Sequence, residues 1–177
     1  MDTLFPDSET FQKERPTTIT EQQRQDYYRK VAQEIIDNGW SQYDIDSVIE
    51  DVSNMSHHDS GYELAKWLEE FDRSASYEID TPFIEFLDDF GWGIAEIVLE
   101  NVQAWVVETN PQPKYQKGQK LLIETALDYE HKKGLNVYVT GFSSQKNACY
   151  LIDEDPNRNG GTIIPYEKVE SRCSVIE

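Results

Sequence analysis

Between Thr20 and Asn110 apolar residues recur three or four positions apart, as on one face of a helix, and beyond Asn110 they alternate. The change of period divides the chain. A first helix is bounded by Thr20 as N-cap, with Gln23 three residues on, and by Asn38-Gly39 at its end. Its inward stripe is Tyr28, Val31, Ala32, Ile35 and Ile36. A second begins after Ser41, with Ile45, Val48, Ile49 and Val52 inward and Asp46, Glu50 and Asp51 directed away from the core. A third follows Ser60-Gly61, burying Leu64, Trp67, Leu68 and Phe71 and exposing Glu63, Glu69, Glu70 and Asp72. Thr81-Pro82 opens a fourth as cap and first helical residue, with Phe83, Phe86, Leu87 and Phe90 inward and Glu85, Asp88 and Asp89 outward. Gly91-Trp92-Gly93 is expected to break the chain before a fifth helix. Ile94, Ile97, Val98, Val102, Trp105 and Val106 form its wide apolar face, with Glu96 and Glu100 on the other side. Short connections favour a bundle of packed neighbours.

After Asn110-Pro111-Gln112-Pro113, residues 120–125, 135–142, 147–152, 162–164 and 168–171 read as short strands separated by Gly, Asn and Ser turns. Such a series suggests a small antiparallel barrel. Two runs, Ala126-Leu127-Asp128-Tyr129-Glu130 and Gly161 through Ile164-Pro165-Tyr166 to Val169, resemble an SH3 domain. A peptide-binding SH3 domain carries a Trp in its groove, and residues 111–177 contain none, so the resemblance implies the barrel shape and not recognition of proline-rich peptides. The expected fold is α+β: an N-terminal arm at 1–17, an acidic helical bundle over 18–110 and an SH3-like β-barrel over 111–177.

Composition changes this picture little, but charge changes it greatly. With 177 residues, 38% hydrophobic and 12% aromatic, the chain can bury one good core or two small ones, and its aromatics argue against a disordered acidic chain. Residues 31–110 hold 19 Asp and Glu against Lys66 and Arg73, a balance of −17 out of −18 for the whole chain. Residues 111–177 are balanced at nine of each sign. This charge disfavours direct binding to nucleic acid or anionic lipid and calls for a basic partner. The first ten residues lack the basic start and apolar run of a signal peptide, and residues 94–107 are interrupted by Glu96 and Glu100, so no membrane span is expected. Cys149 and Cys173 lie in no CxxC pattern and beside no His, which suits a reducing, cytoplasmic setting.

Candidate chemistry is sparse. Asp155, Asn157 and Asn159 with Gly160 match the opening of an EF-hand loop, but Tyr166 stands where the bidentate Glu is needed, so a polar hairpin turn is expected. His57-His58-Asp59, in a Ser-rich connection, and His131, in a Lys-rich turn, read as solvated loops. Neither Cys has a base to activate it. The carboxylates recur on outward faces instead of converging with a Lys or His, so neither enzymatic activity, nor a metal, nor a cofactor is expected.

The acids themselves then need a reason. Two like charges about 6 Å apart repel by roughly 3 kcal/mol at an effective dielectric near 20, before screening. Carboxylates at i and i+4 on packed helices make a lattice of negative charge. Duplex DNA carries a charge every ~1.7 Å, so roughly 30 Å holds about 18, and the segment's −17 is of that order. In character the chain resembles the small acidic proteins by which phages and plasmids block restriction or CRISPR nucleases. That resemblance implies a non-catalytic inhibitor occupying the basic DNA- or RNA-binding cleft of a nuclease or nuclease complex. The contacting face would be Asp44, Asp46, Glu50, Asp51, Glu63, Glu69, Glu70, Asp72, Glu85, Asp88, Asp89, Glu96 and Glu100. Two other classes stay open: an immunity or antitoxin-type protein covering a basic toxin, and an adaptor whose barrel binds a protein. An adaptor would keep its activity after the acids are neutralised.

Overall fold

In a computed structural model the described residues are 13–70, 76–143 and 147–176. They form six helices and a five-stranded antiparallel sheet: α1 Glu21–Asp37, α2 Ile45–Asn54, α3 Gly61–Leu68, α4 Thr81–Asp88, α5 Phe90–Thr109, β1 Lys120–Ile123, β2 Asn136–Phe142, β3 Cys149–Asp153, β4 Thr162–Pro165, α6 Tyr166–Arg172 and β5 Cys173–Val175. The chain divides into two compact units, one of Pro16–Asn101 and one of Met1–Arg15 with Val102–Glu177. No helix among the described residues is long and apolar enough to cross a membrane.

Capping sets the helix starts in the first unit. Thr20 accepts the Gln23 backbone N–H at 3.1 Å while the Gln23 side chain accepts that of Thr20 at 3.0 Å, and Ser60 and Glu63 repeat the exchange at α3. The α2 cap is Asp44, whose carboxylate accepts from the N–H groups of Asp46 and Ser47 at 3.1 Å. Ser41 instead forms a β-bridge with Tyr77. At α4 the cap is Asp80, accepting from Phe83 N–H at 2.8 Å, so Thr81 lies inside the helix and not at its cap. A carboxylate one residue upstream is the stronger acceptor for these unpaired donors.

Gly91-Trp92-Gly93 does not interrupt the chain; α5 starts at Phe90 and runs through it. The glycines serve close approach. A Cβ at Gly93 would collide with the Tyr27 ring, and one at Gly91 with the His57 carbonyl oxygen. The core of this unit gathers Val31, Ala32 and Ile35 of α1, Val48 and Val52 of α2, Leu64 and Leu68 of α3, Phe83 and Leu87 of α4 and Phe90. Each of these side chains except that of Ala32 contributes about 1.5–3 kcal/mol by leaving water. Trp40 packs against this core, its ring centroid 5.2 Å from those of both Phe83 and Phe86. Phe71 and Asp72 lie outside the described residues.

In the second unit the strand order is β4-β3-β2-β1-β5. The sheet is open, because among the described residues β4 and β5 are its edges and do not pair with each other; the expected barrel closure is not formed. The expected strand over 168–171 is instead helical. Tyr166 and Val169, one helical turn apart, both enter the core, and the chain then returns as β5 along β1. Leu121, Ile123, Val137, Val139, Tyr150 and Ile152 supply the rest of that core, together with Trp105. Residues 13–15 belong here too. The Trp105 indole N–H donates to the Lys13 carbonyl at 2.8 Å, and the Arg15 guanidinium, 5.9 Å from the Trp105 ring centre, donates to the Asn147 carbonyl at 2.9 Å.

Candidate functional site

The helices that bury the first unit's apolar stripes leave most of its carboxylates outside. Asp44, Asp46, Glu50, Glu63, Glu69, Glu70, Glu85, Asp88, Asp89, Glu96 and Glu100 are all exposed. Asp51 is the exception, at 1% exposure, with its Oδ2 accepting the Tyr77 hydroxyl at 2.8 Å. The expectation that it faces solvent is corrected by position: three residues after Val48, it lies on the buried stripe of α2. Asp72 lies outside the described residues.

Several of the exposed acids also have work inside the fold. Hydrogen bonds from the backbone and side chain of Ser47 hold the Asp44 carboxyl below its usual range, and those from Ser60 do the same for Glu63. Asp88 accepts the Gly61 N–H at 2.5 Å, and Glu70 lies 3.5 Å from the Lys66 ammonium. Asp46, Glu50, Glu69, Glu85, Asp89, Glu96 and Glu100 remain as the acids whose position owes most to the outward helix faces.

Some of these acids converge. A cleft of about 810 Å³ is lined by His58, Asp59, Glu63, Asp88, Trp92 and Ile94, among others. Trp92 is also part of a second cleft, about 340 Å³, with Tyr27, Glu34, Phe86, Asp89 and Glu96. Asp26, Glu96, Ile97 and Glu100 line a third, about 350 Å³. The field at the centre is felt by Tyr27, whose hydroxyl donates to the Phe90 carbonyl at 2.6 Å. Burial, and then the charges of Glu96, Asp89 and Glu34, push its pKa up to about 12. Sequence reasoning missed Asp26, Glu34, Asp59 and Trp92 as members of this surface. A signal was present for α1, since Asp26, Lys30 and Glu34 recur at i, i+4 and i+8 on one face.

His58 and Asp59 are exposed, as expected of a solvated loop, but His57 and His131 are not. His57 is half-buried, its Nε2 3.0 Å from the Tyr28 hydroxyl and its ring centroid 4.8 Å from that of Phe90. Burial, then Arg24 and His58, lower its pKa. His131 is 7% exposed, with Nδ1 2.9 Å from Asp128 Oδ1. Burial alone would raise the Asp128 pKa, but the hydrogen bonds from the His131 backbone and ring outweigh it and lower it. In the 153–160 turn, Asp155 accepts the Asn157 N–H at 2.9 Å, and the Arg158 guanidinium lies 3.0 Å from the Asp153 carboxylate, a cation already among the acids. Burial raises both thiols, Cys149 and Cys173, the latter to about 11, which keeps them poor nucleophiles near neutral pH. Among the described residues no group of three or more His, Cys, Asp or Glu could hold a metal ion. No protein-family model, no curated protein and no solved structure matches this chain.

Proposed function

We propose that the protein is a non-enzymatic inhibitor that presents nucleic-acid-like negative charge and occupies the basic DNA- or RNA-binding cleft of a nuclease of the restriction or CRISPR type, in the cytoplasm of a host cell. The observation that carries this reading is the exposure of Asp46, Glu50, Glu69, Glu85, Asp89, Glu96 and Glu100 on successive helices of one unit, while residues 111–177 carry no net charge. Charge spread through the whole chain would serve solubility equally well; charge gathered on one unit makes a field that a basic cleft can read. On this reading nucleic acid itself is repelled and the partner is a protein. The second unit is read as SH3-like on its 126–130 and 161–169 runs, serving as the scaffold.

The test is affinity for the partner recovered from host lysate, measured by biolayer interferometry at low and physiological salt. The wild-type chain is compared with the cluster reversals Asp46→Lys with Glu50→Lys, and Glu85→Lys with Asp89→Lys. Like charges facing a basic cleft cost several kcal/mol, so each reversal should slow association, and the gap should narrow as salt rises. Nucleic acid should compete for the same site. Unchanged affinity in every reversal, or simultaneous binding of nucleic acid and inhibitor, would sink the proposal.

A further inference from the structure

Trp92 is 71% exposed, in the first turn of α5. An indole left in water forgoes the stabilisation of burial. Its chain neighbours, Gly91 and Gly93, carry no side chains that could cover it. It is shared by two clefts whose walls differ in origin but agree in sign: Asp59, Glu63 and Asp88 on one side, Glu34, Asp89 and Glu96 on the other. Each also has an apolar lining, Ile94 in the first and Phe86 with Phe90 in the second. Among the described residues lining these two clefts, Lys30 is the one Lys or Arg.

We infer that the groove centred on Trp92 is the docking point for an arginine-bearing segment of the basic partner, with the guanidinium stacked on the indole and its N–H groups donated to the flanking carboxylates. Charge complementarity excludes an acidic occupant, and the exposed aromatic selects among basic ones. Guanidinium is planar, weakly hydrated and forked, so it can stack and make paired hydrogen bonds to carboxylate at once; an ammonium is a hydrated point charge and does only the second well. Trp and Arg are also the residues on which binding free energy most often concentrates, near the centre of an interface. The inference rests on the reading that the partner is basic, and it adds where contact is made and by which side chain.

The experiment titrates a fluorescently labelled arginine-rich peptide, and a lysine peptide of equal length and charge, with the full chain at physiological salt, following anisotropy. Wild type should bind the arginine peptide several-fold more tightly than the lysine peptide. Trp92→Ala should weaken the arginine peptide by roughly five- to tenfold and bring the two peptides close to parity. Its melting curve should be unchanged, because the ring is exposed. The α2 double reversal Asp46→Lys with Glu50→Lys should weaken both peptides alike and keep the arginine preference. The inference is overturned if neither peptide binds wild type, or if Trp92→Ala retains the preference. Failure of mimicry looks different: the arginine preference would depend on Trp92, yet the protein would not displace nucleic acid from a basic partner. Displacement that persists undiminished in Trp92→Ala, with the preference intact, would leave mimicry standing and remove the groove.

Discussion

The Tyr77 hydroxyl donates to Oδ2 of Asp51 at 2.8 Å within the core of the helical unit, while the adjacent Glu50 stands in solvent. Two acids side by side in sequence therefore have opposite energetics. Tyr77→Phe should lower stability by about 1–3 kcal/mol, since a buried carboxyl oxygen loses a donor. Asp51→Lys should prevent folding, whereas Glu50→Lys should change stability by no more than ~0.5 kcal/mol. Chemical denaturation followed by circular dichroism checks this; equal effects at positions 50 and 51 would contradict the burial of Asp51.

Gly93 lies against the Tyr27 ring, and a Cβ there has no room. Glycine to alanine inside a helix ordinarily stabilises by about 0.5–1 kcal/mol. Here the sign should reverse, with Gly93→Ala destabilising by roughly 1–3 kcal/mol through overpacking. In a Tyr27→Ala background the same change should become stabilising again. A double-mutant cycle measured by thermal melting reads the difference, and a coupling energy near zero would mean that the two residues do not meet.

Burial lowers the His57 pKa from its ordinary 6.5, so protons bind this side chain more readily in the unfolded chain. Its contribution to stability is therefore fully present above pH 6.5 and is lost as pH falls through 6.5 toward the depressed folded value. His57→Phe keeps the ring contacts with Tyr28 and Phe90 but cannot titrate. Between pH 7.5 and pH 5 the wild-type melting temperature should fall relative to that of His57→Phe. Parallel pH profiles for the two proteins would show that His57 is not held neutral.

Crowded carboxylates repel within the folded helical unit. Screening shortens their reach, the Debye length dropping from about 10 Å at 0.1 M salt to roughly 3 Å at 1 M. Sodium chloride should thus raise the melting temperature over that range, and Glu85→Lys with Asp89→Lys should flatten the rise. If salt leaves both proteins unmoved, the exposed acids are too far apart to feel one another.

Local chemistry was readable where both partners lie within a helical turn. The capping exchange of Thr20 with Gln23 follows from side chains three residues apart, and so does the start of α1; Ser60 and Glu63 carry the same spacing at α3, where it went unread. Asp51 failed for a different reason: residue type argued for solvent while spacing from Val48 argued for the core, and spacing prevailed because Tyr77 supplies a donor from 26 residues away. Gly91 and Gly93 looked like breakers because the groups that need them small, His57 and Tyr27, are distant in sequence. Tyr166 and Val169 could have announced α6 by their spacing, but flanking alternation masked it. Of the candidate surface, the outward acids of α2 to α5 were legible by period, whereas the pairing of α1 acids with Trp92 depends on helix packing that one sequence does not spell out.

The acceptor of the Arg15 guanidinium, the Asn147 carbonyl, lies 132 residues downstream, and the whole helical unit is encoded between them. Order of synthesis follows from this. At about 5–20 residues per second a ribosome takes roughly 7–26 s to cover that interval. The helical core, whose members all precede Asn101, has time to form while Arg15 still waits for a partner. The sheet unit can be completed only when β5, the strand that borders β1, has been made. The acidic helical unit is therefore fully synthesised before the last strand of the sheet unit is made, and on the proposed reading a basic partner can engage it during translation.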